Sequence, residues 1–152
     1  MTENLIGKYK NQILITIDDE DVKEYLIYYF KKYPNRRVAP IDRPTHPSMN
    51  KWMIMKRPQM NDTKQKWKEF TVWIVKKNGL ENKMIEECEM TFISYFKTKI
   101  RKDVDNTSPK FVLDGFPEAR LIIDDDSLHL TSLTLKCGYD KLRPRTEIYI
   151  NY

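Results

Sequence analysis

Between Arg101 and Asp126 the chain strings carboxylates, a lysine and apolar runs together in an order that leaves few folds open. The stretch reads Arg-Lys-Asp-Val-Asp-Asn, then Thr-Ser-Pro, then Lys-Phe-Val-Leu-Asp-Gly-Phe, and later Ile-Ile-Asp-Asp-Asp. Asp103 and Asp105 are two apart, so an extended backbone would send both carboxylates to one side. Ser108 as cap and Pro109 as first helical residue predict a short helix over residues 110–116, ended by Gly115. Lys110 then lies in its first turn. Helical side chains lean toward the N-terminus, which returns the ammonium toward Asp103 and Asp105. The apolar run Leu121-Ile122-Ile123 leads into Asp124, Asp125 and Asp126, a source for a third carboxylate. Magnesium takes carboxylate oxygens and keeps several waters. Carboxylates, a lysine and surrounding cations are the groups that metal-assisted phosphodiester hydrolysis uses.

Charge supports a polyanionic partner. The 152 residues carry a net charge of +5, and charged residues make up 32% of them, so much of the surface is ionic. Lys97, Lys99, Arg101 and Lys102 run straight into Asp103, a positive field that would draw a phosphate backbone to the acids. Lys51, Lys56 and Arg57 are further phosphate-contact candidates; guarding a solvated edge strand is their alternative use. Cys88 and Cys137 lack C-x-x-C spacing, and His46 and His129 stand alone, which argues against structural zinc. The opening residues hold no apolar run of signal-peptide length, and no segment approaches a membrane span. The expected setting is a cytoplasm, with no membrane partner.

The remaining pattern alternates strand and helix, predicting one α/β (α+β) domain with a mixed sheet and helices packed against it. Residues 12–17 read as a strand. Asp18 or Asp19 caps a helix whose Val22, Tyr25, Leu26, Tyr29, Phe30 and Tyr33 form one stripe, ended by Pro34. Core packing is the reading for that stripe, with a partner-binding face as the alternative. Residues 33–50, with four prolines, read as irregular. Residues 50–57 read as a strand or ordered loop. A helix from a cap at Asn61 or Asp62 to Lys77 follows, stopped by Asn78-Gly79. Residues 83–96, 128–135 and 146–150 read as strands. Lys141, Arg143 and Arg145 lie between the last two, facing DNA or only solvent.

An Asp-x-Asp pair alone is weak evidence; its combination with the capped Lys-Phe-Val-Leu-Asp-Gly helix and the later acidic run is far more specific. Residues 101–136 resemble the RusA family of Holliday junction resolvases. His46-Pro47-Ser48-Met49-Asn50 is more loosely similar to that family's Pro-Ser-x-Asn turn. The resemblance implies a homodimeric, magnesium-dependent endonuclease, with manganese able to substitute, that resolves four-way DNA junctions by paired nicks. Its setting would be recombination and repair, or phage DNA processing, in a bacterial or phage-infected cell. Asp103 and Asp105 match the family's metal ligands, Lys110 its catalytic lysine, and Asp126 best matches its last aspartate. Counting forward from Lys110 selects Asp125 as third ligand; counting back from the following strand selects Asp126, the preferred choice. Residues 1–40 have no counterpart in the family and read as an extension on an endonuclease domain of residues 41–152. Two other readings remain: a non-catalytic nucleic-acid-binding module, and a protein-interaction domain using the aromatic helix.

Overall fold

A computed structural model describes residues 8–152; the reading of the opening residues as lacking a signal peptide falls almost wholly outside that range. The elements are β1 (Gln12–Asp18), α1 (Asp19–Lys32), α2 (Met49–Met53), α3 (Arg57–Lys77), β2 (Cys88–Phe96), a 3-10 turn (Val104–Thr107), α4 (Lys110–Glu118), β3 (Leu130–Tyr139) and β4 (Arg145–Asn151). The strands form one mixed sheet in the order β1-β4-β2-β3. β4 pairs antiparallel with β1 and β2, while β2 and β3 run parallel. The expected α+β domain is present.

Period-two burial shows why these segments are strands. In β2, Cys88, Met90, Phe92 and Ser94 are buried and their neighbours are not; in β4, Thr146, Ile148 and Ile150 are. One face therefore meets the helices. The other carries polar pairs: Arg145 bonds Glu147 at 2.8 Å, and its guanidinium lies 3.9 Å from the centre of the Tyr95 ring. One wet face is ordinary for a sheet with antiparallel pairs.

Asp18 starts α1 as expected. It accepts from the Asp21 N–H while Asp21 accepts from the Asp18 N–H, a reciprocal cap. The aromatic stripe is core: Tyr25 packs 4.9 Å from Phe70 and 5.3 Å from Trp73 of α3, between ring centroids. Burying each such ring is worth roughly 1.5–3 kcal/mol. Since β1 pairs with β4 and α1 packs on α3, residues 12–32 are part of the sheet and core. Beyond Pro34 the chain is irregular but anchored, with Ile41 2% exposed and the Thr146 hydroxyl donating to the Pro44 carbonyl at 2.8 Å.

Three local expectations change. Residues 49–53 form a helical turn instead of a strand, because Ser48 accepts the Lys51 N–H and caps it. α3 begins at Arg57 rather than after Asn61, because Pro58 falls in the first turn, where no N–H is needed. Gly115 does not end α4: a Cβ there would stand 2.6 Å from Thr71 Cβ, so this glycine lets α4 lie close on α3. Among the described residues no helix is long and apolar enough to cross a membrane.

Candidate metal and nucleic-acid site

The parallel pair needs a crossover, and that crossover contains the whole acidic motif. β2 ends at Phe96; the basic run, the 3-10 turn, α4 and the acidic triplet follow before β3 begins at Leu130. Asp103 is extended, but the chain turns directly after it, so the Asp-x-Asp pair is not part of a strand. Asp103 occupies the cap position of the 3-10 turn, its carbonyl accepting the Asn106 N–H at 3.1 Å, and Asp105 lies inside the turn. Because the chain turns between them, the period-two rule of a strand no longer sets the two carboxylates on one side. Both carboxylates are exposed and, among the described residues, make no ion pair.

The turn carrying these acids is held from outside. Asn106 Oδ1 accepts the Asn50 N–H at 2.8 Å, which docks the Pro47–Ser48–Met49–Asn50 turn on the Asp-x-Asp-Asn segment. Two stretches far apart in sequence are thereby neighbours in space. Thr107 is buried and donates to the Val104 carbonyl at 2.6 Å. Ser108 does not cap α4; Pro109 takes the cap position and no side chain bonds the first turn. Lys110 nevertheless stands in the first turn as expected, exposed and without an ion-pair partner among the described residues.

Asp126 and Asp125 differ in employment. Asp126 Oδ1 accepts the Leu128 N–H at 3.0 Å and the His129 N–H at 3.2 Å, and its carbonyl accepts from His129 and Leu130. These bonds make residues 126–129 a turn and delay the strand from the expected Leu128 to Leu130. Asp125 is half-buried among acids. Partial burial, its contact with Asp124, and the charges of Asp114 and Asp124 push its carboxyl above the ordinary range. Sequence reasoning passed over Asp114, although four residues past Lys110 it shares that helix face. Its Oδ2 is shielded from water without a hydrogen-bond partner, and the nearest cation, Lys64, is 3.7 Å away.

Topology separates the expected ligands. The basic run leaves the carboxyl end of β2, whereas the triplet precedes the amino end of β3, and nine strand residues span roughly 30 Å. The crossover folds back in between, with the 3-10 turn against β3. Among the described residues no three Asp, Glu, His or Cys side chains stand together as a metal-binding group, so Asp103, Asp105 and Asp126 are not one cluster. Magnesium commonly uses only one or two protein carboxylates. Asp114 and Asp124 repel Asp125, but the three do not form a metal-binding group, and the Asp114 oxygen faces Lys64.

The cations gather more closely. Lys97, Lys99 and Lys102 line adjoining hollows at the end of β2. The Lys102 ammonium is 4.7 Å from the Phe96 ring centre, and that of Lys99 is 5.0 Å from Tyr139. Arg101, Lys56 and Arg57 are exposed. Arg143 and Arg145 are instead committed to carboxylates, Arg143 to Asp18 at 2.9 Å and Arg145 to Asp140 at 2.8 Å. Set beside known protein families and curated protein sequences, the chain matches none.

Proposed function

We propose that this protein is a magnesium-dependent, structure-selective endodeoxyribonuclease that nicks four-way DNA junctions in pairs. The observation that carries the reading is the 2.8 Å bond from Asn50 to Asn106, which joins the two stretches that resemble RusA resolvases. Asp103 and Asp105 would hold the metal, which commonly uses only one or two protein carboxylates, manganese being able to substitute. Asp126 and Asp125, which the resemblance offers as third ligand, do not cluster with them. When bound, the ion supplies an activated water and neutralises charge on the scissile phosphate. Lys110 places a positive charge where negative charge develops during cleavage. Lys97, Lys99, Arg101, Lys102, Lys56 and Arg57 hold DNA arms through phosphates, so base sequence matters little to binding. Two nicks need two sites, and β3 is available for a second copy: it is one of the two edge strands and none of its residues is fully buried. The setting is the cytoplasm of a bacterial or phage-infected cell, in recombination, repair or phage DNA processing.

The separation of the carboxylates favours a second reading, a non-catalytic nucleic-acid-binding module. One assay decides. Synthetic junctions, forks and linear duplex are incubated with magnesium, manganese or chelator. Junctions should be nicked only with a metal, and Asp103→Asn and Asp105→Asn should lose nicking while binding survives. Tight junction binding with no metal-dependent nicking would establish the module instead. Sedimentation showing a monomer with and without junction DNA would remove the paired-nick mechanism.

A further inference from the structure

A pocket of about 420 Å³ opens beside the acidic turn, between the irregular segment after α1, α2, the start of α3 and the end of β2. Its size falls within the roughly 300–1,000 Å³ typical of small-molecule sites. Ile41, Met55, Trp67 and Phe96 supply apolar wall, and Arg43, Lys51 and Lys102 are exposed cations on its lining. Asp42 also lines it and pairs with Arg43 at 3.2 Å, which leaves the two lysines as the freer charges. His46 belongs to the same wall. It is 8% exposed, and neither ring nitrogen has a hydrogen-bond partner. Burial pushes it down to about 4, so the ring is neutral at physiological pH. Leaving buried polar atoms unpaired is costly and rare enough to need a reason. The Pro47 backbone pulls the ring's pKa the other way, too weakly to offset burial, and both ring nitrogens are shielded from solvent.

We propose that this pocket receives one unpaired nucleotide, its base against His46 and the apolar wall and its phosphate on Lys51 and Lys102. The proposal rests on nucleic acid being the partner of the basic surface, as argued above. A pocket of mixed polar and apolar lining with cations at its edge suits one nucleotide of an unpaired strand. Lys102 also lines the two adjoining hollows, so the phosphate path continues from the pocket toward Lys97 and Lys99. The pocket thereby gives the protein a way to recognise the branch point, where bases are most easily unpaired, rather than the duplex arms.

The chain has two histidines, so selective nitrogen labelling reports His46 against His129 as internal control. The labelled protein is titrated into the millimolar range with each deoxynucleoside 5′-monophosphate and, separately, with deoxyribose 5-phosphate. The His46 ring signals should shift saturably with all four nucleotides, His129 should stay put, and the base-free sugar phosphate should leave His46 unchanged. Lys51→Ala and Lys102→Ala, both at exposed positions, should each weaken nucleotide binding about five- to tenfold. A His46 signal that moves with no nucleotide, or equally with deoxyribose 5-phosphate, overturns the proposal. Junction nicking is measured on the same preparation. Nicking with a silent His46 removes the pocket and keeps the nuclease; a responsive His46 without nicking keeps the pocket and removes the nuclease.

Discussion

Asp18 and Asp125 are both partly shielded carboxylates, and the fold treats them in opposite ways. Burial alone would raise Asp18, but hydrogen bonds from Arg143 and from the Asp21 N–H outweigh it and hold its carboxyl below the ordinary range. Nearby, Lys77 bonds both Asp21 and Glu24. For Asp125, burial is reinforced by Asp124 and Asp114, and the carboxyl is pushed up. The first group has a cation and backbone donor that outweigh its burial; the second has a backbone bond too weak to offset burial and its acidic neighbours. A structural carboxylate lowers the free energy of the folded chain, whereas an uncompensated acidic group raises it and becomes useful only when a cation arrives.

The sharpest test of that contrast is catalytic. Lys110→Ala should slow magnesium-dependent junction nicking about 10²- to 10³-fold, the usual cost of removing one charge-stabilising group, with a smaller loss of binding. Single-turnover nicking and gel-shift titration separate the two. Equal loss of both would make Lys110 a binding residue and leave the acidic region without a catalytic partner.

His46 sets the next largest effect, because it titrates in neither acidic group. Its folded value of about 4 lies below the ordinary 6.5, so between those pH values the unfolded chain binds more protons. Its contribution is complete above pH 6.5 and is lost as pH falls toward 4, on the order of 3 kcal/mol in all. Urea unfolding at stepped pH should show that slope in the wild type and a flatter one in His46→Gln. Equal slopes would mean that other groups control acid stability.

Asp18→Ala should cost about 1–2 kcal/mol at neutral pH, from the lost helix cap and ion pair. Because its folded value is depressed, the difference from wild type should shrink as pH falls through the carboxylate range. Asp125→Asn should act the other way and stabilise the metal-free protein by a few tenths of a kcal/mol, most clearly above the raised value of the wild-type group. Magnesium should raise the melting temperature of the wild type more than that of Asp125→Asn. A destabilised Asp125→Asn protein with an unchanged magnesium response would place Asp125 with Asp18, as a structural acid.

Local rules made much of this molecule legible from its residues. The α1 stripe, its Asp18 cap, the Asn78-Gly79 stop and the period-two runs of β2 and β4 each depend on neighbours a few positions away, and they hold in the structure. Lys110 in the first turn of α4 was legible for the same reason. Gly115 failed because a distant contact intervened, the crossing with Thr71, whereas Ser108 yields the cap position to its neighbour Pro109. The sheet order, the closeness of Asn50 to Asn106, the burial of His46 and the acidic company of Asp125 were decided only by tertiary structure. The first three depend on segments that the chain brings together from tens of residues apart, and the last on the return of the chain after α4 toward Asp114. Charge and hydrophobic period act along the sequence, whereas hydrogen-bond satisfaction and desolvation depend on what packs against a group from elsewhere.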